Sequence, residues 1–319
     1  MRILVTGGAG FIGSQVSEKL LRMGHHVAIV DELNDYYSPA LKRANLDIVR
    51  GVGRIDFHEQ SICDREAIFR IAKEYRPEAI IHLAARAGVR PSLEQPFLYE
   101  QVNVHGTLVM LEAARQFGVK KFVFASSSSV YGISSRVPFT EDDPLHQPIS
   151  PYAATKIAGE KLCFTYSHLY KLPVAALRFF TVYGPRQRPD LAIRKFTDLI
   201  EQGRPITAFG DGASGRDYTF IADIVQGVIS ALLYDCQYEV FNLGNSSPVT
   251  LAEMIAVIEN AVGKKAAVQW VDAQPGDVPI TYADISKAQR LLGYRPATSF
   301  ADGVAEFVKW YRQSSHVAA

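Results

Sequence analysis

At 319 residues, with 48% hydrophobic and 21% charged side chains, the chain has material for a sizeable core and lacks the bias of a disordered or fibrous sequence. A formal net charge of +1 without blocks of like charge points away from nucleic acid and membrane surfaces as partners, so an anionic ligand must be met by local groups. Cys63, Cys163 and Cys236 are far apart and form no CxxC, which argues against a zinc site and fits a reducing compartment. No apolar run reaches the roughly 18 residues of a membrane span, and MRILVTGGAG breaks at glycine too soon for a signal peptide, so no metal and a cytoplasmic location are expected.

The first predicted element is a strand over 2–6, RILVT, running into Gly7-Gly8-Ala9-Gly10-Phe11-Ile12-Gly13 and a helix over 12–23. Gly8, Gly10 and Gly13 satisfy GxGxxG, a tight turn whose backbone can approach a pyrophosphate at a helix N-terminus. A second strand, 26–30, ends at Asp31, where a carboxylate would accept hydrogen bonds from ribose hydroxyls and repel a 2′-phosphate, favouring NAD. A helix N-cap is the other reading of Asp31. Further strands are expected at 79–83, 121–125 and 174–179, and helices at 65–75, 103–117 and 151–169.

Short apolar runs alternating with helices suit a parallel sheet covered on both faces, a doubly wound α/β Rossmann-type fold. After residue 180 the regularity weakens, and Pro/Gly-rich stretches appear: GPRQRPD, FGDGASGRDY and AQPGDVP. Loops of this composition line sites more often than they build cores. The expected division is a dinucleotide-binding domain over 1–178, rejoined by part of 217–246, and a smaller α/β substrate-binding domain over 179–319 packed closely on it.

In FVFASSSSVYG, 122–132, a buried strand runs into four hydroxyls. Farther on, Pro151 opens a helix that carries Tyr152 and Lys156 on one face, at i and i+4. A phenol titrates near ~10, but a neighbouring ammonium and a positive nicotinamide both favour phenolate, so Tyr152 could take a proton from a substrate hydroxyl as hydride leaves the carbon beneath. A surface Tyr/Lys pair is the plainer alternative.

Together these stretches resemble the extended short-chain dehydrogenases/reductases, in their nucleotide-sugar epimerase and dehydratase group. The match is carried by TGGAGFIG, Asp31, HLAA at 82–85, Asn103 in NVHGT, SSSSVYG, Tyr152 with Lys156, RFFTVYGPRQRPD at 178–190, GRDYTFIAD at 215–223 and QPGDVPITYAD at 274–284. The resemblance implies a catalytic set of Ser127, Tyr152 and Lys156. It implies NAD held by Gly7, Gly10, Phe11, Ile12, Gly13, Asp31, Ser61, Ile62, Leu83, Ala84, Ala85 and Asn103, with Tyr152 and Lys156. It places a UDP or dTDP group near Phe209, Arg216 and Asp277, and implies a homodimer through the helix 103–117 and the Tyr/Lys helix. Three positions depart from the group: Ser61 stands where an Asp reads adenine, Arg86 replaces a glutamine, and Gln274 an arginine on the diphosphate.

Dehydrating relatives carry Asp-Glu just before VYG, and decarboxylating ones carry Glu in the second place; this chain has Ser128 and Ser129. Neither serine can work as an acid or base near neutrality, which leaves oxidation, turnover of the keto sugar and reduction. Thr181 stands where galactose-type epimerases carry Asn, and DELNDYYSPALKRANLD, 31–47, is similar to the opening of UDP-glucuronate 4-epimerases. Ser128, Ser129 and Thr181, with Arg188 or Arg90, would then clamp a uronic carboxylate. Plainer readings are strand-end capping by Ser126 and Ser129, and phosphate or surface contacts by the two arginines. The expected activity is NAD-dependent conversion of UDP-glucuronate to UDP-galacturonate. A UDP-hexose or UDP-N-acetylhexosamine 4-epimerase, a decarboxylase or dehydratase, and an NAD-binding redox sensor are the alternatives.

Overall fold

The computed structural model of the chain describes residues 1–133, 136–272 and 278–314, so Asp277 and Gln274 lie outside the described residues. Twelve strands follow in chain order: β1 (Arg2–Thr6), β2 (His26–Asp31), β3 (Ile55–Glu59), β4 (Ala79–His82), β5 (Lys121–Ser127), β6 (Val174–Phe179), β7 (Thr181–Tyr183), β8 (Ile206–Phe209), β9 (Gly215–Phe220), β10 (Tyr238–Leu243), β11 (Pro248–Thr250) and β12 (Val268–Val271). Seven form one parallel sheet in the order β10-β6-β5-β4-β1-β2-β3. The connections reverse direction between β1 and β4, and the crevice beyond the carboxyl ends of strands at such a point receives ligands. Five of the seven strands are the apolar runs expected from the sequence. The other two, IDFHE in β3 and YEVFNL in β10, are the sheet's edges, where partial exposure admits charge and removes the apolar signal.

Helices α1 (Phe11–Arg22), α2 (Pro39–Val52), α3 (Arg65–Tyr75), α4 (Val89–Glu94), α5 (Pro96–Glu100), α6 (Gly106–Gln116), α7 (Pro151–Tyr170), α8 (Ala192–Glu201) and α9 (Ile221–Leu233) accompany the sheet or lead out of it. Alternate residues of one strand feed two different cores. Ile3, Val5, Ile29 and Val123 enter one with Val16 of α1 and Ile224 of α9. Leu4, Ala28, Val30 and Phe122 enter the other with Ile68, Met110 and Cys163 of α3, α6 and α7. The period of two along a pleated strand requires this partition. The helix expected at 103–117 begins instead with a wide π turn, Gln101–His105, before α6.

The rest of the chain adds a three-stranded sheet β11-β9-β7 and the pair β12-β8, with α10 (Leu251–Val262), α11 (Ser286–Leu292) and α12 (Phe300–Ser314). The first core continues without a break into this part through Ile200, Ile206, Met254 and Phe307. One apolar cluster therefore joins the large sheet to the smaller elements.

Candidate active site

β1 ends in a glycine loop that has no room for side chains. A Cβ on Gly13 would collide with the Gly7 carbonyl, and one on Gly7, whose φ is +69°, would lie 2.8 Å from the Ala84 nitrogen. The loop thus nests between α1 and the segment after β4. Gly10 caps α1 without a side-chain hydrogen bond, and Phe11, Ile12 and Gly13 line a cavity with about 1100 Å³ of space, part of it open to solvent. First-turn N–H groups have no helical partner, so the loop offers donors and the positive end of a helix dipole to an anion.

At one end of this cavity Asp31 is buried, its carboxylate accepting the N–H groups of Ala9 at 3.1 Å and Leu33 at 3.0 Å. Burial raises its pKa, and the two N–H groups and Lys42 oppose the rise. It caps no helix, since Ser38 holds the N-cap position of α2. Gln60 and Ile62 line the cavity beside it. Ser61 is not among the lining residues, and its hydroxyl accepts the Cys63 N–H at 3.3 Å. Leu83, Ala84 and Ala85 also line the cavity, with Arg86 and the rings of Tyr36 and Tyr37. The pair of aromatics in DYYS after Asp31 was the only trace of those rings in the sequence.

Asn103, expected as a cofactor ligand, is not among the cavity-lining residues. Its amide is committed to the loop after β4, with Oδ1 accepting the Arg86 N–H at 2.8 Å and Nδ2 donating to the Arg86 carbonyl at 2.9 Å and to Thr155 at 3.1 Å. The other end of that loop hangs on His82. Thr107 donates to the Asn103 carbonyl at 2.6 Å and lies 3.0 Å from His82 Nε2, so the histidine proton sits on Nε2. Nδ1 then accepts from Thr6, 2.7 Å away, whose oxygen accepts the Ala84 N–H at 3.1 Å. Burial and the nearby Lys156 charge hold His82 neutral, with its pKa lowered to about 3. His82 and Asn103 position the cavity wall from behind.

At the other end, β5 delivers Ser127 and α7 delivers Tyr152 and Lys156. Ser150 caps α7 through its hydroxyl, which accepts the Ala153 N–H at 3.1 Å, and Pro151 fixes the first turn. Gly159, one turn below, has no side chain to hold α7 away from the Phe124 ring of β5. Lys156 is buried, donates to the Ala125 carbonyl at 2.7 Å and stands 5.9 Å from the centre of the Tyr152 ring. Burial lowers its pKa to about 8. A lowered Tyr152 pKa is the expectation beside the Lys156 ammonium and a positive nicotinamide; in the protein alone the net direction is upward. Burial is the largest influence and raises it, while a hydrogen bond with Ser127 and the charge of Arg188 pull it down.

The serine run divides by strand alternation. Ser126 reaches the cavity wall, its hydroxyl donating to Glu160 at 2.5 Å, whereas Ser127, outside the cavity-lining set, donates to Ser129 at 3.2 Å and lies against Tyr152. Because Ser127 pairs with Phe179 across β5 and β6, Ser128, Ser129 and Thr181 leave adjacent strands at the same end of the sheet. Arg188 lines the cavity, holds Asp190 through two hydrogen bonds of 3.0 and 2.8 Å, and lies 5.2 Å over the Tyr36 ring. Arg90 goes elsewhere: its guanidinium stacks 4.9 Å over Phe209, which joins α4 to the end of β8. Arg216 of β9 donates to the Gly215 carbonyl at 2.8 Å, outside the cavity-lining set.

A sheet of this strand order, a glycine cradle at its switch point and a Ser-Tyr-Lys set on the next strand and helix define a dinucleotide-dependent enzyme of the short-chain dehydrogenase/reductase class. A family model described as GDP-mannose 4,6 dehydratase matches residues 4–307, and the chain belongs to that family. A UDP-glucuronate 4-epimerase of Thermodesulfobacterium geofontis is 45% identical over 312 residues, covering 98% of this chain and 96% of the relative. The crystal structure of UDP-glucuronic acid 4-epimerase from Bacillus cereus, in complex with UDP-glucuronic acid and NAD, is 36% identical with a TM-score of 0.92, over 98% of this chain and 99% of that one. UDP-glucose 4-epimerase from Thermotoga maritima, solved with UDP-glucose, has the same TM-score of 0.92 at 35% identity, over 99% and 100%. The backbone is thus common to epimerases of neutral and acidic sugars.

Proposed function

We propose that the protein is an NAD-dependent 4-epimerase of a UDP-hexuronic acid, interconverting UDP-glucuronate and UDP-galacturonate. The observation that carries this reading is the surroundings of Tyr152. Ser127, Ser128, Ser129 and Thr181 stand at adjoining strand ends, and the carboxylates among the described cavity-lining residues, Asp31 and Glu32, both come from the end of β2. With hydroxyls in place of acids, the site has a base for one proton and none for eliminating water. The 45% identity to a UDP-glucuronate 4-epimerase supports the same sugar.

The glycine loop, Asp31, Ile62 and Leu83 to Ala85 hold the dinucleotide in this reading. Bound NAD supplies a hydride acceptor and later the donor, so it is regenerated in each turnover. Tyr152 takes the proton of the C4 hydroxyl, Ser127 hydrogen-bonds the same oxygen, and Lys156 lies beside the phenol to favour its ionised form. The keto sugar turns over so that C4 presents its opposite face to the returning hydride, and Tyr152 gives the proton back to the C4 oxygen. Ser128, Ser129 and Thr181 hold the carboxylate meanwhile, with Arg188 as the cation. Arg90 and Phe209 receive the base, with Arg216 and Asp277 toward the ribose and diphosphate. The chain works as two lobes, 1–178 with part of 217–246, and the remainder of 179–319. It acts as a homodimer in the cytoplasm, where its three free thiols stay reduced.

An NMR time course with UDP-glucuronate tests the activity: UDP-galacturonate should form, with UDP-glucose little changed under the same conditions. Tyr152→Phe should lose about a thousandfold or more of the turnover while NAD binding persists. Conversion of UDP-glucose at a comparable rate would move the assignment to a UDP-hexose epimerase.

A further inference from the structure

Four cationic side chains line the cofactor cavity: Lys42, Arg86, Lys156 and Arg188. Three are engaged. Lys42 donates twice to Asn34, at 2.7 and 2.9 Å, Lys156 donates to Ala125, and Arg188 holds Asp190. The Arg86 guanidinium makes no hydrogen bond with a described residue. Its side chain is only 13% exposed, its Nε is buried without a partner, and Glu32 is 3.9 Å from Nη2, beyond hydrogen-bond length. A guanidinium so little exposed gains from an acceptor that completes its hydrogen bonds, and its planar fork of donors matches a phosphate.

The residue is also held in place. Both backbone groups of Arg86 are bound by Asn103, and its guanidinium lies 5.7 Å over the Tyr36 ring, whose hydroxyl donates to the Ala87 carbonyl at 2.6 Å. Glu32, next to the ribose-reading Asp31, stands on one side of it. Tyr36 stands on the other and carries Arg188, whose charge reaches Tyr152. Arg86 therefore lies between the ribose end and the reacting end of the cavity, the interval in which a dinucleotide carries its two phosphates. The glycine loop meets that pyrophosphate with N–H groups and a partial dipole charge alone.

We propose that Arg86 is the full positive charge on the cofactor's pyrophosphate, a contact made by a residue that replaces the glutamine of similar proteins and that tightens retention of NAD. The inference rests on the NAD reading above, and the experiment separates the two. The dissociation constants of NAD, NADP and adenosine are measured for the wild type, Arg86→Gln and Arg86→Lys, with the NAD retained through gel filtration at rising salt. Arg86→Gln should weaken NAD by about 10- to 100-fold, Arg86→Lys should restore part of the loss, and adenosine, which has no phosphate, should bind alike to all three. The melting temperature of ligand-free Arg86→Gln should change little, since the guanidinium makes only a 3.9 Å ion pair with Glu32 and a ring contact with Tyr36. NAD affinity unchanged within twofold overturns the proposal. So does an equal loss for NAD and adenosine, which marks a packing role, or a loss confined to NADP, which marks a 2′-phosphate contact. Failure of the wild type to bind NAD would instead remove the functional reading and this inference with it.

Discussion

Tyr152 is pushed toward its neutral form by burial, and the groups that oppose this are Ser127 and Arg188. The serine set has a second task if the sugar is a uronate. Oxidation at C4 creates a β-keto acid, which loses carbon dioxide when the carboxylate bond aligns with the carbonyl, so the hydroxyls must hold it out of that alignment. Ser128→Ala with Thr181→Ala should therefore release a UDP-pentose beside the epimer, visible in the same NMR time course; an unchanged product pattern would rule out the clamp. His82 offers a pH signature. It is neutral when folded, with a pKa near 3 against the usual 6.5, so from pH 6.5 downward the unfolded chain binds the extra proton. The stability contribution is thus complete above 6.5 and shrinks as pH falls toward 3. His82→Gln should melt lower at about pH 7 but lose less on going to about pH 5 than the wild type does, as thermal unfolding at both pH values would show. Equal pH slopes would mean that His82 is not held neutral.

Helix α7 carries two of the three side chains proposed as catalytic, and its seat on the sheet decides where they point. Its Glu160 carboxylate is buried and receives Arg178 of β6 through two bonds of 2.9 Å, together with the Ser126 hydroxyl of β5. Arg178 also donates to Tyr131 at 3.0 Å, and Tyr131 donates to Asn242 of β10 at 2.6 Å. This network ties α7 to three neighbouring strands. Breaking a buried pair strands the other charge, so Arg178→Met should destabilise the fold by about 3–5 kcal/mol, and adding Glu160→Met should recover much of that loss. Urea unfolding of the single and double variants measures both; a double variant no better than the single would show that the pair contributes more than mutual neutralisation. At this scale the sequence was readable where elements are buried. Arg65–Tyr75 and Val174–Phe179 stand where they were expected, whereas β3 and β10 were missed because edge strands tolerate charge.

For the whole molecule, the apolar surface is informative. Phe97 of α5 is 87% exposed, and Leu108 of α6 and Phe164 of α7 are also open to solvent. Large apolar side chains gathered on consecutive helices of one lobe fit an isologous contact between two copies. If the proposed homodimer uses this face, Phe97→Glu should shift the mass in light scattering from dimer to monomer at micromolar concentration, and an unaltered dimer mass would exclude this face.

Local signals determined a good deal by themselves. Glycine spacing, Asp31 after a strand, the Tyr152/Lys156 interval and the absence of acid before VYG depend on neighbours within a few residues, and such neighbours are printed in the sequence. The tertiary structure decided the parts that depend on distant contacts. Asn103 binds the Arg86 backbone, Gln60 lines the cavity where Ser61 does not, Arg90 stacks on Phe209, and the Arg86 side chain at the cavity wall keeps a buried Nε without a hydrogen-bond partner among the described residues. Each follows from which segments the sheet order brings side by side and which side-chain donors those segments leave satisfied, and a linear chain does not display that pairing.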